Sequence, residues 1–197
     1  VVGRLFLLRH GQTEWSANGR HTGRTDIPLT ERGRELAAAA APTFAALRRG
    51  SPPPVRVLSS PRRRAQDTAK LAGLAVDAVD ERLHEWDYGD FEGLTTPQIR
   101  ETVPDWTVWT HPCPHGEDAA EVGVRADGVL ADVRPLLADG DVVLVGHGHF
   151  SRVLIARWMG LPADGGVHVA MDPAAWAVLG DERGVPRLDA VNLVVPS

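Results

Sequence analysis

The sequence predicts an α/β domain, and three observations carry that expectation. Residues 5–8 form a short apolar run, and 55–58 and 141–145 are largely apolar. Their length and branching suit strands buried on both faces. Stretches with helical spacing lie between them, and such alternation favours strands and helices in layers. Polar groups then recur where the runs stop. Arg9-His10-Gly11 follows the first, Ser59-Ser60-Pro61 the second, and Gly146-His147-Gly148 the last. Open α/β sheets bind ligands off the carboxyl ends of their strands. These three ends therefore mark the expected site.

The elements follow in order. Residues 5–8 are the first strand. Residues 11–29 read as a loop rich in Gly, Thr, Asn and Asp, and a loop of about 19 residues is commonly functional. Thr30 is an expected N-cap for a helix over 31–48, with Leu36, Ala40, Phe44 and Leu47 on one face. Pro42 is expected to kink or divide it. A turn at 50–54 leads to the second strand, 55–58. Pro61 suits the first helical position after a Ser60 cap. That helix runs to 72, and Gly73 stops it. Residues 74–79 form a short strand, and 83–95 an aromatic and acidic loop. Thr96-Pro97 opens a short helix.

Residues 104–118 hold three prolines, two tryptophans and two histidines, which predicts an irregular lid. A helix is expected over 117–137, with Pro135 at its frayed end. The strand at 141–145 is followed by a helix to Met159, stopped by Gly160. The tail, 167–195, predicts two or three strands, such as 176–179 and 188–194. No internal repeat or low-complexity linker interrupts the chain, so one domain is expected over 1–197.

Composition narrows the function. The chain has 197 residues, 43% hydrophobic and 24% charged, ordinary for a globular protein. Its net charge of −5 argues against a broad nucleic-acid or anionic-membrane surface. One cysteine, Cys113, allows no intrachain disulfide. No apolar run approaches the ~20 residues of a membrane span. No charged segment leads into a long apolar one near the start, so a cytoplasmic protein is expected.

The chemistry sits in the strand ends. Two strand-end histidines, each followed by glycine, make a stronger signal than either alone. Arg62-Arg63-Arg64 follows the second strand. Cations in the first turn of a helix face its positive end and cost stability, unless an anion binds there. At ~100° per residue the three cannot all face one way. One or two are expected to face the site, with the rest solvated.

These stretches resemble a known family. Leu8-Arg9-His10-Gly11-Gln12-Thr13-Glu14-Trp15, then Gly19-Arg20 and Pro28-Leu29-Thr30, are similar to the signature of the histidine phosphatase superfamily, also called phosphoglycerate mutase-like. Ser59 to Ala65 followed by Thr68-Ala69 is similar to its second motif. Glu85-Trp86-Asp87-Tyr88-Gly89 with Phe91-Glu92-Gly93 resembles its third, and Gly146-His147-Gly148 its last. More narrowly, the region from Trp106 to Glu117 and Gly148 to Arg152 resembles actinobacterial acid phosphatase-type members.

The resemblance implies a three-layer α/β/α sandwich, with a mostly parallel central sheet and helices on both faces. It implies a metal-independent phosphomonoester hydrolase with no cofactor, acting on a small phosphorylated metabolite. His10 matches the nucleophile. Arg9, Arg64 and His147 match the groups that hold phosphate oxygens, and Glu85 matches the acid that protonates the leaving oxygen. Arg64 is chosen within the triplet because the family arginine directly precedes the alanine. Gly11, Ser16, Thr22, Gly23, Gly148 and His149 are further substrate-binding candidates. Ser16 stands where the family often has asparagine, and serine is shorter.

The residue types suit the chemistry. An imidazole attacks only through an unprotonated nitrogen, and two nearby arginines favour the neutral ring. Arginine forks match phosphoryl oxygens. Trp86 and Tyr88 are expected to help keep Glu85 protonated by desolvation. A mutase or a sugar bisphosphatase using the same pocket are alternatives. A noncatalytic phosphate- or phosphoprotein-binding module is another. His111, Cys113 and His115 lack a second cluster, so metal binding is not expected. The apolar tail strands leave a homodimer open.

Overall fold

The computed structural model describes residues 3–194. Residues 1–2 and 195–197 lie outside the described residues, including the last position of the expected tail and both ends of the expected domain. The strands are β1 (Leu5–Arg9), β2 (Arg56–Ser59), β3 (Ala78–Val79), β4 (Val142–Gly146), β5 (Trp176–Glu182) and β6 (Val185–Leu193). The helices are α1 (Glu14–Ala17), α2 (Glu31–Leu47), α3 (Arg63–Leu71), α4 (Thr96–Arg100), α5 (Ala119–Leu136) and α6 (Gly148–Trp158).

The strands form a mixed sheet in the order β3-β2-β4-β1-β5-β6. β3, β2, β4 and β1 run parallel, and β5 pairs antiparallel to β1 and β6. Alternation along each central strand builds two cores. Leu5, Leu7, Val142 and Leu144 pack with residues of α5 and α6. Phe6, Leu8, Val143 and Val145 pack with residues of α2 and α3, where Phe44 stacks on Trp176 at 4.6 Å. This is the expected three-layer arrangement. A parallel β1 and β4 need cover on both faces, and the helices supply it.

Several expectations are corrected. α2 runs through Pro42 undivided. Pro42 and Ala38, whose carbonyl loses its partner, are both exposed, so water can satisfy the freed carbonyl. α3 starts at Arg63, with Arg62 as a cap that makes no side-chain bond, rather than after a Ser60 cap. The 74–79 strand shrinks to Ala78–Val79. The first long loop contains α1, closed by reciprocal bonds between Thr13 and Ser16. The 104–118 stretch is irregular, as expected, but it is not a lid. Trp106, Val108, Trp109 and Cys113 are buried in the α5–α6 core. β5 extends to Glu182, and β6 starts at Val185.

Candidate active site

Strand register builds the site. Arg9 lies opposite Gly146 in the β1–β4 pair, and Ser59 lies opposite Val145 in the β2–β4 pair. The next residue on each strand therefore emerges at the same level. These are His10, His147 and Ser60. The His10 N–H donates to the Gly146 carbonyl at 2.9 Å, and the Ser60 N–H to Val145 at 2.9 Å. The two imidazoles, 137 positions apart in sequence, stand 5.2 Å apart between ring centroids.

His10 has one defined tautomer. Its Nδ1 lies 2.7 Å from the Gly11 carbonyl, which can only accept, so Nδ1 carries the proton. Nε2 is left with its lone pair. Burial holds the ring neutral well below the ordinary 6.5, and Arg64 and Arg9 push the same way. The two arginines were expected to do this; desolvation is the larger cause.

His147 is fully buried and also held neutral, first by burial and then by Arg64 and His10. Its Nε2 meets Ser60 Oγ at 2.6 Å. Ser60 Oγ also accepts the Arg62 N–H at 3.3 Å. If the Ser60 hydroxyl donates to His147 Nε2, the imidazole proton sits on Nδ1; if Ser60 accepts there, it sits on Nε2. That Nδ1 is buried without a partner among the described residues. The sequence reading made Ser60 a helix cap. Its hydroxyl instead turns to His147, and only the strand order reveals this.

Two arginines complete the cation set. Arg9 Nη1 donates to the Met171 carbonyl at 2.6 Å. Arg64 is fully buried and donates to the carbonyls of Thr22, Gly23 and Thr25 at 3.1, 3.0 and 2.7 Å. The Nε of each is buried without a partner among the described residues. Arg63 is exposed and pairs with Asp67 at 3.4 Å, so one arginine of the triplet faces in and one is solvated. Buried N–H groups require acceptors. The orphaned Arg9 Nε and Arg64 Nε belong to the two cations that act on His10, and the orphaned His147 Nδ1 to the ring 5.2 Å from it.

Glu85 is buried with its carboxylate at the start of α6. Oε1 accepts the N–H of Trp86 at 2.9 Å and of Phe150 at 2.8 Å. Oε2 accepts only the His149 N–H, at 3.0 Å. Oε2 is thus the oxygen with room for a proton.

The remaining candidates divide. Ser16, Thr22, Gly148 and His149 line the cleft beside His10 and Glu85. Ser16 Oγ is held by Thr13, donating to its carbonyl and accepting its N–H. Gly23 does not line the cleft; Glu92 takes its N–H at 2.9 Å, while its carbonyl holds Arg64. Gly11 acts through fit. A Cβ there would sit 2.2 Å from the Gly33 carbonyl, and its N–H donates to Thr68 Oγ1 at 2.9 Å. Sequence reasoning missed Thr68, one helical turn after Arg64 and bonded to its carbonyl at 2.7 Å. Tyr88, read from the sequence only as a neighbour of Glu85, brings its hydroxyl to His149 Nδ1 at 2.6 Å. His115 pairs with Asp90 and His111 with Thr110, away from buried Cys113. No group of three His, Cys, Asp or Glu that could hold a metal ion occurs among the described residues.

The fold and site define a phosphatase of the histidine type. The chain belongs to the Histidine phosphatase superfamily (branch 1), whose family model matches residues 5–194. It is 51% identical over 190 residues to an acid phosphatase of Mycobacterium tuberculosis, covering 96% of this chain and 92% of that one. A glucosyl-3-phosphoglycerate phosphatase of Mycolicibacterium vanbaalenii is 36% identical, covering 90% and 84%. Among solved structures, an open reading frame of Mycobacterium tuberculosis superposes with a TM-score of 0.93 at 50% identity, covering 98% of each chain. A mycobacterial glucosyl-3-phosphoglycerate phosphatase in complex with VO3 superposes with a TM-score of 0.82 at 35% identity, covering 96% and 98%.

Proposed function

We propose that this protein is a metal-independent acid phosphatase that hydrolyses small phosphorylated metabolites through a phosphohistidine at His10. One observation carries the reading. His10 is neutral, its Nδ1 proton is spent on Gly11, and its Nε2 lone pair sits among cations with unpaired N–H groups.

The reaction runs in two displacements. His10 Nε2 attacks phosphorus while the ester P–O bond breaks. Arg9, Arg64 and His147 Nδ1–H hold the three equatorial oxygens as charge spreads over them. A proton on Glu85 Oε2 passes to the leaving oxygen. Water then attacks phosphorus, gives its proton back to Glu85, and the P–N bond breaks to release phosphate. The Ser60 hydroxyl keeps His147 in the donor tautomer throughout. The neutral state of His10 below 6.5 keeps a nucleophile available in acid.

The test is rapid quenching with a 32P-labelled ester, followed by mapping of the label. The expected result is an acid-labile, base-stable phosphoryl group on His10, absent in His10→Ala. Turnover by His10→Ala at the wild-type rate would falsify the mechanism. Tight phosphate binding with no release from any ester would favour the noncatalytic module.

A further inference from the structure

Glu85 has no regular element to hold it. It lies in the irregular segment 84–88, between single 3-10 turns at Glu81–Leu83 and Gly89–Phe91. A side chain on such a segment is placed less precisely than one on a helix or strand. Yet an acid in the proposed reaction must come within hydrogen-bond reach of the leaving oxygen. Neighbouring parts of the chain therefore have to fix this segment.

An ion pair at the start of α5 does so. Arg125 Nε and Nη2 donate to the two carboxylate oxygens of Glu117 at 2.9 and 2.7 Å. Arg125 Nη1 donates to the carbonyls of Arg82 and His84, each at 2.8 Å. The arginine thus grips the chain just before Glu85. Glu117 grips it just after. Glu117 Oε2 accepts the Asp87 N–H at 2.9 Å, and the Glu117 N–H donates back to the Asp87 carbonyl at 2.9 Å. The Glu117 carbonyl accepts the Trp86 indole N–H, also at 2.9 Å.

The same guanidinium reaches the other wall of the site. It lies 4.2 Å from the ring centroid of Phe150, whose N–H holds Glu85 Oε1 at 2.8 Å. One ion pair therefore ties together the segment that carries the carboxylate and the helix start that binds it. The two side chains are 11% and 18% exposed, so salt screens them little. A buried pair of this kind adds little net stability over an apolar replacement. Its distinctive feature is that its spare donors and acceptors all converge on residues 82–87. Neither residue lines the cleft, so any effect on the reaction passes through Glu85.

We infer that Arg125 and Glu117 are positioning residues for proton transfer: they clamp the chain on both sides of Glu85 and aim its Oε2 at the leaving oxygen. This rests on the phosphatase reading above and on Glu85 as its acid. The clamp does not touch Arg9, His10, Arg64 or His147, so it leaves the phosphoryl pocket as it is.

Two variants and two esters test it. Glu117→Gln keeps the shape but loses the charge, and Arg125→Lys keeps the charge but loses the fork. Phosphate release gives kcat/KM for glycerol 3-phosphate, a poor leaving group, and for p-nitrophenyl phosphate, a good one. Each variant is assayed at a temperature where its near-ultraviolet circular dichroism matches the wild type. The alkyl ester should lose about tenfold and the aryl ester less than about twofold, because only the first needs the proton of a well-placed acid. The inhibition constant for inorganic phosphate should stay within about twofold, and in a Glu85→Gln background neither substitution should cost the alkyl ester more than about twofold further. Equal losses for the two esters, or a further tenfold loss without Glu85, would overturn the clamp and leave the phosphatase reading intact. Failure of both variants to fold at any temperature would also overturn it, since the pair would then be structural. A wild type that hydrolyses neither ester overturns both readings.

Discussion

Ser60→Ala is the perturbation that most directly probes the site. Ser60 Oγ lies 2.6 Å from His147 Nε2, and both residues are fully buried. Removing the hydroxyl leaves a ring nitrogen buried without a partner, a penalty of about 1–3 kcal/mol. It also frees the ring to take the other tautomer, with Nε2 protonated and no donor at Nδ1. If the whole penalty falls on the state that holds the phosphoryl group, kcat/KM drops about 5- to 150-fold. Steady-state hydrolysis of p-nitrophenyl phosphate measures that drop. Long-range 1H–15N correlations of the His147 ring report which nitrogen carries the proton. The wild type should show Nδ1–H, and the variant a mixture. A variant with wild-type kcat/KM, or a wild-type ring protonated at Nε2, would refute the reasoning.

Other outcomes follow from the same geometry. The acidic limb of the kcat/KM profile should lie below pH 6.5, because burial, Arg64 and Arg9 keep His10 unprotonated there; a limb at or above that value contradicts the assignment. Glu85→Gln should slow an alkyl phosphate far more than p-nitrophenyl phosphate, whose leaving group needs little protonation, and equal losses would remove Glu85 as the acid. Gly33→Ala places a Cβ 2.0 Å from the Gln12 carbonyl. It should cost about 1–3 kcal/mol by denaturant melts and lower kcat by shifting His10; an unchanged midpoint rules this out. His10, His147 and His149 are held neutral well below 6.5, and His21 down to about 4, all mainly by burial. In that range the unfolded chain binds protons that the folded one refuses, so stability is complete above 6.5 and is lost as pH falls. Thermal melts from about pH 7 to about pH 5 should show a falling Tm, and a flat or rising one contradicts these shifts.

Much of the site was legible because strand ends are local. An apolar run that stops at Arg9-His10-Gly11 announces its own end, and so does one that stops at Gly146-His147-Gly148. The order of the motifs then pointed to partners. Helix caps were less secure. Ser60 looks like a cap because serine before proline usually is one, yet the nearby imidazole outcompetes the helix for its hydroxyl. Residues 104–118 looked like a lid for their prolines, but Trp106 and Trp109 carry enough apolar surface to pull the stretch inward.

By itself the sequence determined the layered α/β class, the two histidines and the family motifs, since each is written in short-range spacing. Only the tertiary structure decided which arginine of the triplet faces in, that Ser60 serves His147, and that Gly23 holds Arg64. Those facts depend on register between β1, β4 and β2 and on which loop crosses which helix end. A one-residue slip in register would separate every one of these pairs without changing a single local preference.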